Sequence, residues 1–370
     1  MTAPAPAVPR SSRDAEGALP RPPLDPAVAA FVRWLPPATA TADGLAEMRR
    51  GADPERALRD LLEAVPGLTH RATTCPAPDG WELAVSVFRR RDDDRPGPGI
   101  LWIHGGGMIA GERNDGVLPY LRLLAEHGGA VVTVDYRLAP EHPAPVPVRD
   151  CHAAFAWVHA HAAELGVDRV VLAGGSAGGG LAAGVALLAR DRGEPVPAGV
   201  LLECPMLDDR NDTRSTRQFE TAATWSGRSN EFGWTALLGE RAGRGDVSPY
   251  DAPARSTWLG GLPPVHLSVG SADPFRDEDV AFAAGIWRDG GDCELLIVPG
   301  GVHGFEHLVP EAQVSRTVMA SRSSWYARLL DPDTAAVGER GLPGLVAHLT
   351  GERVDVAGAR RVLGARAEAG

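Results

Sequence analysis

A serine set among glycines is the residue best suited to chemistry in this sequence. It is Ser176 in the run GGSAG at residues 174–178, which follows an apolar stretch and precedes a helical pattern. A serine in such a tight strand-to-helix turn exposes its hydroxyl above a sheet, and Gly174 and Gly178 leave room for the crowded backbone. The pattern predicts a nucleophile. Two alternatives stay open: a phosphate-binding turn, or a chance match in a chain with 44 glycines.

Three consecutive glycines follow another apolar stretch, earlier in the chain. They are Gly105, Gly106 and Gly107, and they come directly after His104. Glycines let backbone N–H groups approach a substrate oxygen closely, as the oxyanion hole of an acyl-transfer enzyme requires. A plain tight turn is the alternative. The run lies at the carboxyl end of a predicted strand, however, where ligands of open α/β sheets bind.

An aspartate and a histidine later in the chain could act together with the serine. Asp273 follows the apolar stretch VHLSVG, and His303 follows ELLIVPG, so both come after the ends of predicted strands. His303 would take the proton of Ser176, while Asp273 would fix the imidazole tautomer and stabilise its cation. The order serine, aspartate, histidine is one of the known chain orders of such triads.

The stretches between these motifs alternate between short apolar runs and helical patterns. This alternation predicts a doubly wound, mostly parallel sheet, so the motifs would meet at the edge where the strands end. The predicted strands are Trp81–Phe88, Gly99–Ile103, Ala130–Val134, Val170–Ala173, Val200–Cys204, Val265–Val269 and Glu294–Val298. The predicted helices are Val117–Glu126, Arg149–Leu165, Ala177–Arg190, Glu278–Asp289 and Glu311–Leu330.

Composition and charge exclude several classes of function. The chain has 370 residues and a formal net charge of −11, so it lacks the basic surface that nucleic-acid binding needs. Its four cysteines form no C-x-x-C pair of the kind that binds zinc or exchanges disulfides. The N-terminus has no apolar stretch of signal-peptide length, and no run in the sequence approaches the length of a membrane span. We therefore expect a cytoplasmic protein with no nucleic-acid partner, no membrane span and no cofactor.

Two polar patterns resemble metal sites but lack essential ligands. Asp208, Asp209 and Asp212 do not have the full spacing of a calcium loop. His303 and His307 stand four residues apart, yet the glutamate of a zinc-binding H-E-x-x-H helix is missing. We expect no metal at either place.

The same patterns divide the chain into segments. Residues 1–25 are rich in proline and alanine and are predicted to be a flexible lead. Residues 26–79 are predicted to be a helical cap segment, because apolar residues recur there at helical spacing. Residues 80–330 form the predicted α/β core, in which the polar segment 208–245 is a candidate second piece of the cap. Residues 331–370 are a C-terminal extension without an assigned role.

Together these motifs resemble the hormone-sensitive-lipase-like family of bacterial esterases. The resemblance covers roughly residues 80–330, and five spaced motifs in the right order make it specific. It implies an α/β-hydrolase fold, a mostly parallel central sheet flanked by helices, with an N-terminal helical cap. The motifs are HGGG at 104–107, DYRLAPEHPAP at 135–145, GGSAGG at 174–179, DPFRDE at 273–278 and HGF at 303–305.

The resemblance also implies roles for individual residues. Ser176, Asp273 and His303 would form the catalytic triad. The oxyanion hole would consist of the backbone N–H groups of three residues, namely Gly106, Gly107 and Ala177. The supporting positions in these motifs are His104, Gly105, Gly174 and Gly178.

Three positions near the motifs are unusual. Gly175 stands where family members commonly have Asp or Thr, which removes a side chain that could support the nucleophile turn. Met108 stands where an aromatic residue is common, so the pocket could be larger there. Glu203 interrupts the apolar stretch VLLECP, and a carboxylate buried at that position needs a partner that the sequence does not identify.

The function predicted from these observations is that of a serine carboxylesterase. A cap that includes Trp34 and the segment from Trp225 to Trp234 predicts a confined pocket for short- to medium-chain acyl esters. The same triad could instead cut a lactone or an amide, or act as an acyltransferase in a biosynthetic pathway, since a fold does not specify the leaving group. A ligand-binding receptor on a hydrolase scaffold is the non-enzymatic alternative, but such receptors typically lack the histidine found here at 303. The expected partners are a small-molecule ester substrate and further copies of the chain in a homo-oligomer.

Overall fold

The computed structural model describes residues 19–36, 39–51, 53–93, 95–331, 342–350 and 353–368. The chain divides into two compact units, residues 1–320 and residues 321–370. All residues of the predicted site belong to the first unit. Within the described ranges, no helix combines the length and the apolar character that crossing a membrane requires.

An eight-stranded sheet forms the centre of the first unit. The strands are β1 Leu68–Pro76, β2 Glu82–Arg90, β3 Gly97–Ile103, β4 Ala130–Val134, β5 Val167–Gly175, β6 Gly199–Glu203, β7 Val265–Gly270 and β8 Cys293–Val298. Their order across the sheet is β1-β2-β4-β3-β5-β6-β7-β8. β2 pairs antiparallel with β1 and β4, and all the other neighbours pair in parallel. The prediction of a mostly parallel sheet is confirmed.

Helices connect the parallel strands and flank the sheet, as the alternating pattern predicted. The helices of the first unit are α1 Pro26–Val32, α2 Leu45–Met48, α3 Pro54–Ala64, α4 Leu118–His127, α5 Val146–Ala160, α6 Ala162–Leu165, α7 Ala177–Arg192, α8 Arg214–Gln218, α9 Gly227–Leu238, α10 Arg276–Arg288 and α11 Phe305–Leu308. α12, Gln313–Leu330, begins in the first unit and ends in the second, which also contains α13 Leu342–Thr350 and α14 Val356–Glu368.

The helix that follows the candidate nucleophile is part of the core. All residues of α7 from Ala177 to Ala189 are buried. A helix that is apolar on every side belongs in the interior of an α/β fold, where its neighbours fix it in place. The residue at its N-terminus, Ser176, is therefore held by a rigid element on each side, β5 before it and α7 after it.

The prediction that residues 26–79 are helical is wrong over β1. This edge strand pairs with β2 from Leu68 opposite Arg90 to Pro76 opposite Glu82. Only Leu68 and Cys75 are buried in it, so its side chains show no regular alternation of apolar and polar residues. Without that alternation, sequence periodicity gives little signal for a strand.

The end of the predicted flexible lead makes specific contacts. Residues 1–18 lie outside the described part of the chain, but residues 19–25 are described. The Asp25 backbone N–H donates to the Gly300 carbonyl oxygen at 3.1 Å, and its carboxylate caps α1. The Arg21 guanidinium donates to the Thr221 carbonyl oxygen at 3.1 Å. These contacts fix residues 21–25 beside the loop that precedes His303.

Candidate active site

The turn between β5 and α7 holds Ser176 at the carboxyl edge of the sheet. Its φ of 55° and ψ of −121° lie in a region that side chains rarely adopt, at a cost of about 1–3 kcal/mol. The Ser176 N–H donates to the Glu203 carbonyl oxygen at 2.8 Å, and the Met206 N–H donates to the Ser176 carbonyl oxygen at 2.9 Å. These two bonds, one to the last residue of β6 and one to the segment after it, maintain the strained turn.

Two glycines close to the serine are required by this turn. A Cβ atom on Gly174 would lie 2.2 Å from the carbonyl oxygen of Gly178. A Cβ atom on Gly178 would lie 2.0 Å from the carbonyl oxygen of Ile103 on β3. Since the clashing atoms are backbone, only glycine fits at both positions.

His303 lies between Ser176 and Asp273. Its Nε2 is 2.9 Å from the Ser176 Oγ, and its Nδ1 is 2.9 Å from the Asp273 Oδ2. Asp273 is fully buried, and its Oδ1 accepts the N–H of Phe275 at 2.8 Å. This geometry allows the imidazole to take the serine proton while the aspartate holds a proton on Nδ1.

Each of the three side chains follows a different parallel strand. Ser176 follows β5, Asp273 follows β7 and His303 follows β8. Ser176 and His303 are 127 residues apart in sequence, and Asp273 and His303 are 30 residues apart. The parallel register of the sheet therefore brings the three residues together, since strand ends share one edge.

The glycine run after β3 turns beside the serine. Gly106 and Gly107 have φ angles of 103° and 64°, which favour glycine. A Cβ atom on Gly105 would lie 3.2 Å from the Cβ of Ser176. The Trp225 ring covers Gly107 so closely that a Cβ there would lie 2.3 Å from Cη2. The run thus forms one wall of the space around the serine hydroxyl.

His104 supports this run from the interior. The His104 ring is 1% exposed and stacks on the ring of Tyr136, with centroids 4.3 Å apart. Its Nδ1 lies 2.8 Å from the Gly105 carbonyl oxygen, and the Tyr136 hydroxyl donates to the His104 carbonyl oxygen at 3.1 Å. Burial lowers the pKa of His104. A neutral, buried ring is suited to support rather than to proton transfer.

The expected oxyanion donors belong to segments that meet at the serine. Gly106 and Gly107 lie in the run just described, and Ala177 is the first residue of α7. The first N–H groups of a helix have no acceptor within it, and the helix dipole makes this end positive. Both properties would stabilise an oxyanion here. The assignment of these three N–H groups stays a prediction.

A cleft of about 310 Å³ opens beside the triad. Its lining includes Ser176 and His303, the first two glycines of the run, Gly105 and Gly106, and three further side chains, namely Trp102, Glu203 and His307. Two expectations for the pocket fail. Met108 is fully buried and does not line the cleft, and Trp34 is 76% exposed and lines no described cavity.

The partners of Glu203 are residues that sequence reasoning missed. The Tyr120 hydroxyl donates to Glu203 Oε1 at 2.6 Å, and the His307 Nε2 lies 2.8 Å from Glu203 Oε2. His307 follows His303 by four residues, a spacing that was considered only as a zinc pattern. Its position four residues after His303 was the signal that could have placed it in the cleft.

Two groups of side chains in the described residues place potential metal ligands within 4.8 Å of one another. The first consists of Cys204, Asp273 and His303, which includes two members of the triad. Burial raises the pKa of the Cys204 thiol well above its usual value, which favours its protonated form. The second consists of Glu203, Glu306 and His307. The expectation that the protein needs no metal stays a prediction.

A buried acid lies on the helix that follows Asp273. Asp279 on α10 is fully buried, and neither carboxylate oxygen has a hydrogen-bond partner among the described residues. Burial, and then the charges of Glu278 and Asp273, raise the pKa of Asp279 well above its usual value. The native protein therefore favours the uncharged form of this side chain.

Replacing Asp279 with asparagine is expected to stabilise the protein as the pH rises. The native pKa lies above the unfolded value near 3.8, so the contribution of Asp279 is complete below that pH and is lost as the pH rises towards the native pKa. Asparagine does not ionise. The stability of Asp279→Asn relative to the parent should therefore grow by about 1.4 kcal/mol per pH unit in this window. Thermal unfolding midpoints at about pH 5, 7 and 9 measure it, with exposed Asp168→Asn as the control. A difference that does not change with pH would contradict the prediction.

A family model described as the α/β-hydrolase fold matches residues 100–307. The chain belongs to this family. The predicted resemblance to esterases of the hormone-sensitive-lipase-like type is thereby confirmed, as is the prediction that the protein is a hydrolase acting on ester bonds.

Curated relatives and solved structures of this α/β-hydrolase family cover most of the chain. The carboxylic ester hydrolase LipN of Mycobacterium tuberculosis is 34% identical over 68% of this chain and 69% of its own length. The carboxylesterase NlhH of the same organism is 32% identical over 77% of this chain and 89% of its own. A bacterial heroin esterase has a solved structure with a TM-score of 0.76 and 38% identity, covering 83% of this chain and 98% of its own.

Proposed function

We propose that this hydrolase is a serine carboxylesterase that cleaves short- to medium-chain acyl esters through an acyl-enzyme intermediate. The observation that carries the proposal is the hydrogen-bonded series from Ser176 through His303 to Asp273, with 2.9 Å at each step. Relatives named as esterases and carboxylesterases support the type of bond that is cut.

In the first half of the reaction, the Ser176 Oγ attacks the carbonyl carbon of the ester. His303 Nε2 takes the hydroxyl proton as the new C–O bond forms, and Asp273 stabilises the imidazolium cation. The negative charge on the carbonyl oxygen is held by the N–H groups of Gly106, Gly107 and Ala177. As the tetrahedral intermediate collapses, His303 gives the proton to the departing alcohol, which leaves Ser176 acylated.

In the second half, water replaces the alcohol. His303 removes a proton from the water, whose oxygen attacks the acyl carbon of the intermediate. The same donors hold the oxyanion, and the proton returns from His303 to the Ser176 Oγ as the acid is released. Both halves use the same proton path, because the water attacks the same carbon that the alcohol has left.

A series of p-nitrophenyl esters from acetate to palmitate tests the proposal. We expect burst kinetics and the highest kcat/KM for acyl chains of about two to eight carbons. Labelling with a fluorophosphonate probe, followed by peptide mapping, should identify Ser176 as the modified residue. Absence of hydrolysis and of labelling in folded protein would refute the esterase proposal, and a maximum at palmitate would refute the chain-length proposal.

The geometry of the triad counts against a non-catalytic receptor. A receptor on this scaffold needs neither a base beside the serine nor a buried aspartate behind it. Here His303 is within hydrogen-bond distance of both partners. The same triad could transfer the acyl group to an alcohol or open a lactone. Product analysis with added alcohols, and with a lactone as substrate, distinguishes these reactions from simple ester hydrolysis.

We place the part of the substrate that is farthest from the ester bond in a second cavity. It has a volume of about 450 Å³ and lies between α3 and the loop after the glycine run. Ala57, Leu58 and Leu61 of α3 line it, although no residue of that helix is buried. The cavity shares Asp115 and Gly116 with the catalytic cleft. An apolar chain extending from the cleft would therefore cover the half-exposed apolar face of α3.

Filling this cavity should lower the activity on esters with long acyl chains. In Ala57→Trp we expect kcat/KM for an octanoyl ester to fall about tenfold relative to acetate, because contact with two methylene groups, each worth about 0.8 kcal/mol, is lost. Activity on acetate should stay within about twofold. The measurement is the ratio of kcat/KM for p-nitrophenyl octanoate and acetate.

The control for this prediction is Glu63→Trp. Glu63 is exposed on the same helix and does not line the cavity. Octyl acetate serves as a further substrate, since a selective loss with it would place the alcohol, rather than the acyl chain, in the cavity. Equal losses for octanoate, octyl acetate and p-nitrophenyl acetate would contradict the assignment of the cavity to a long substituent.

The proposal also includes a place and partners for the protein. We propose that it acts in the cytoplasm on a small-molecule ester and that it forms a homo-oligomer. Cell fractionation tests the location, and sedimentation of the purified protein tests the oligomer. A monomer at all concentrations would contradict the last point.

A further inference from the structure

A buried carboxylate faces the catalytic cleft without any part in the proton transfers described above. Glu203 is the last residue of β6, it lines the cleft, and it is 1% exposed. A carboxylate in such a place costs several kcal/mol unless partners satisfy its oxygens. The neighbours of Glu203 must therefore explain why a carboxylate is present at this position.

Glu203 contacts the nucleophile turn and the short helix that follows His303. Its carbonyl oxygen accepts the Ser176 N–H at 2.8 Å, which helps to hold the strained turn. Its carboxylate Oε2 lies 2.8 Å from Nε2 of His307, a residue of the short helix that follows His303. The other oxygen, Oε1, accepts the Tyr120 hydroxyl at 2.6 Å. Glu203 therefore joins the nucleophile turn to the segment that carries the base.

The side chain of Glu203 occupies space that residue 175 leaves empty. Gly175 lies opposite Glu203 in the register of β5 and β6. A Cβ atom on Gly175 would lie 3.4 Å from Glu203 Oε2 and 3.3 Å from the Trp102 ring. A carboxylate attached to residue 175 would consequently enter the same volume that the Glu203 carboxylate now fills.

We infer that Glu203 is a positioning residue of the active site, which supplies from β6 the carboxylate that the residue before the nucleophile lacks. Through its backbone it fixes Ser176, and through His307 it fixes the segment of His303. The two contacts together maintain the distance between Ser176 Oγ and His303 Nε2. The inference rests on the proposed esterase function, because its effect is on the serine attack.

The test combines removal of the carboxylate with its return from the neighbouring strand. Glu203→Ala should lower kcat for p-nitrophenyl butyrate by about tenfold to a hundredfold, as displacements near 1 Å do, with KM changed by less than about threefold. The double variant Glu203→Ala with Gly175→Asp should recover at least about tenfold of the loss. Gly175→Asp alone should be less active than the parent, because two carboxylates then compete for one volume.

The readouts are chosen to separate positioning from stability. Thermal unfolding and titration of reactive serine with a fluorophosphonate give the amount of folded enzyme, and kcat is expressed per reactive site. Glu203→Gln, which keeps the side-chain volume, should fall between parent and Glu203→Ala and takes its place if the alanine variant does not fold. Glu164→Ala, at an exposed position that does not line the cleft, should match the parent.

Two results would overturn the inference. One is a folded Glu203→Ala protein whose kcat per reactive site is within about twofold of the parent or, where the alanine variant does not fold, a Glu203→Gln protein with that result. The other is a folded double variant with no recovery of activity. A parent protein that hydrolyses none of the esters would refute the proposed function instead, so the two failures are distinguishable.

Discussion

Ser176→Ala is expected to lower ester hydrolysis by about 10⁴- to 10⁶-fold, since the acyl-enzyme cannot form without the hydroxyl. The side chain makes its described hydrogen bond only to His303, and the turn is held by backbone bonds that alanine retains. The fold should therefore persist. The measurement is kcat/KM for p-nitrophenyl butyrate, together with the thermal unfolding midpoint.

A serine outside the site gives the matched control. Ser256→Ala removes a hydroxyl that donates to the Trp258 carbonyl oxygen at 2.7 Å, and its activity should equal that of the parent. Ser176→Ala should also lose all labelling by fluorophosphonate. If the variant kept more than about one per cent of the parent activity, Ser176 would not be the nucleophile.

The second large effect is expected from Asp273→Asn, about 10⁴-fold in kcat. Asp273 accepts the Phe275 N–H on one oxygen and contacts His303 Nδ1 with the other. The asparagine side chain has one oxygen. If this oxygen keeps the hydrogen bond from the Phe275 N–H, the NH₂ group faces His303 Nδ1. The imidazole then carries its proton on Nε2, where it cannot accept the proton of Ser176.

Asp273→Asn should affect kcat rather than KM. KM should change little, because Asp273 is buried behind the imidazole and does not line the cleft. Exposed Asp292→Asn is the control for the loss of one negative charge. A loss of less than about tenfold in Asp273→Asn would show that another group orients His303.

The parts of the fold that were predictable are those with a strong local pattern. β3, β6 and β7 are short, mainly apolar strands buried along their whole length, β5 contains a buried apolar run at 170–173, and the edge strand β8 contains the apolar run 295–298; such runs stand out in a sequence. Gly174 was predictable for a related reason, because its clash with the Gly178 carbonyl oxygen is set by the local turn, whereas the clash at Gly178 is with Ile103 of β3. β1 was not predictable, since an edge strand with two buried residues has no distinct periodicity.

The parts of the site that were missed depend on contacts distant in sequence. Tyr120 is 83 residues from Glu203, and His307 is 104 residues from it, so nothing local pairs them. Met108 was expected to shape the pocket because of its place after the glycines, but its positive φ of 63° turns it away from the cleft and into the core. Side-chain direction in such a loop is fixed by backbone angles that residue types do not reveal.

The placement of the triad on three separate strand ends has a consequence for refolding experiments. No fragment that ends before β8 holds the base, and parallel pairing of distant strands is among the slower events in folding. Regained turnover therefore reports the completion of the whole parallel sheet. Circular dichroism would register the helices earlier, so the lag between the two signals measures how long a helical but inactive chain persists.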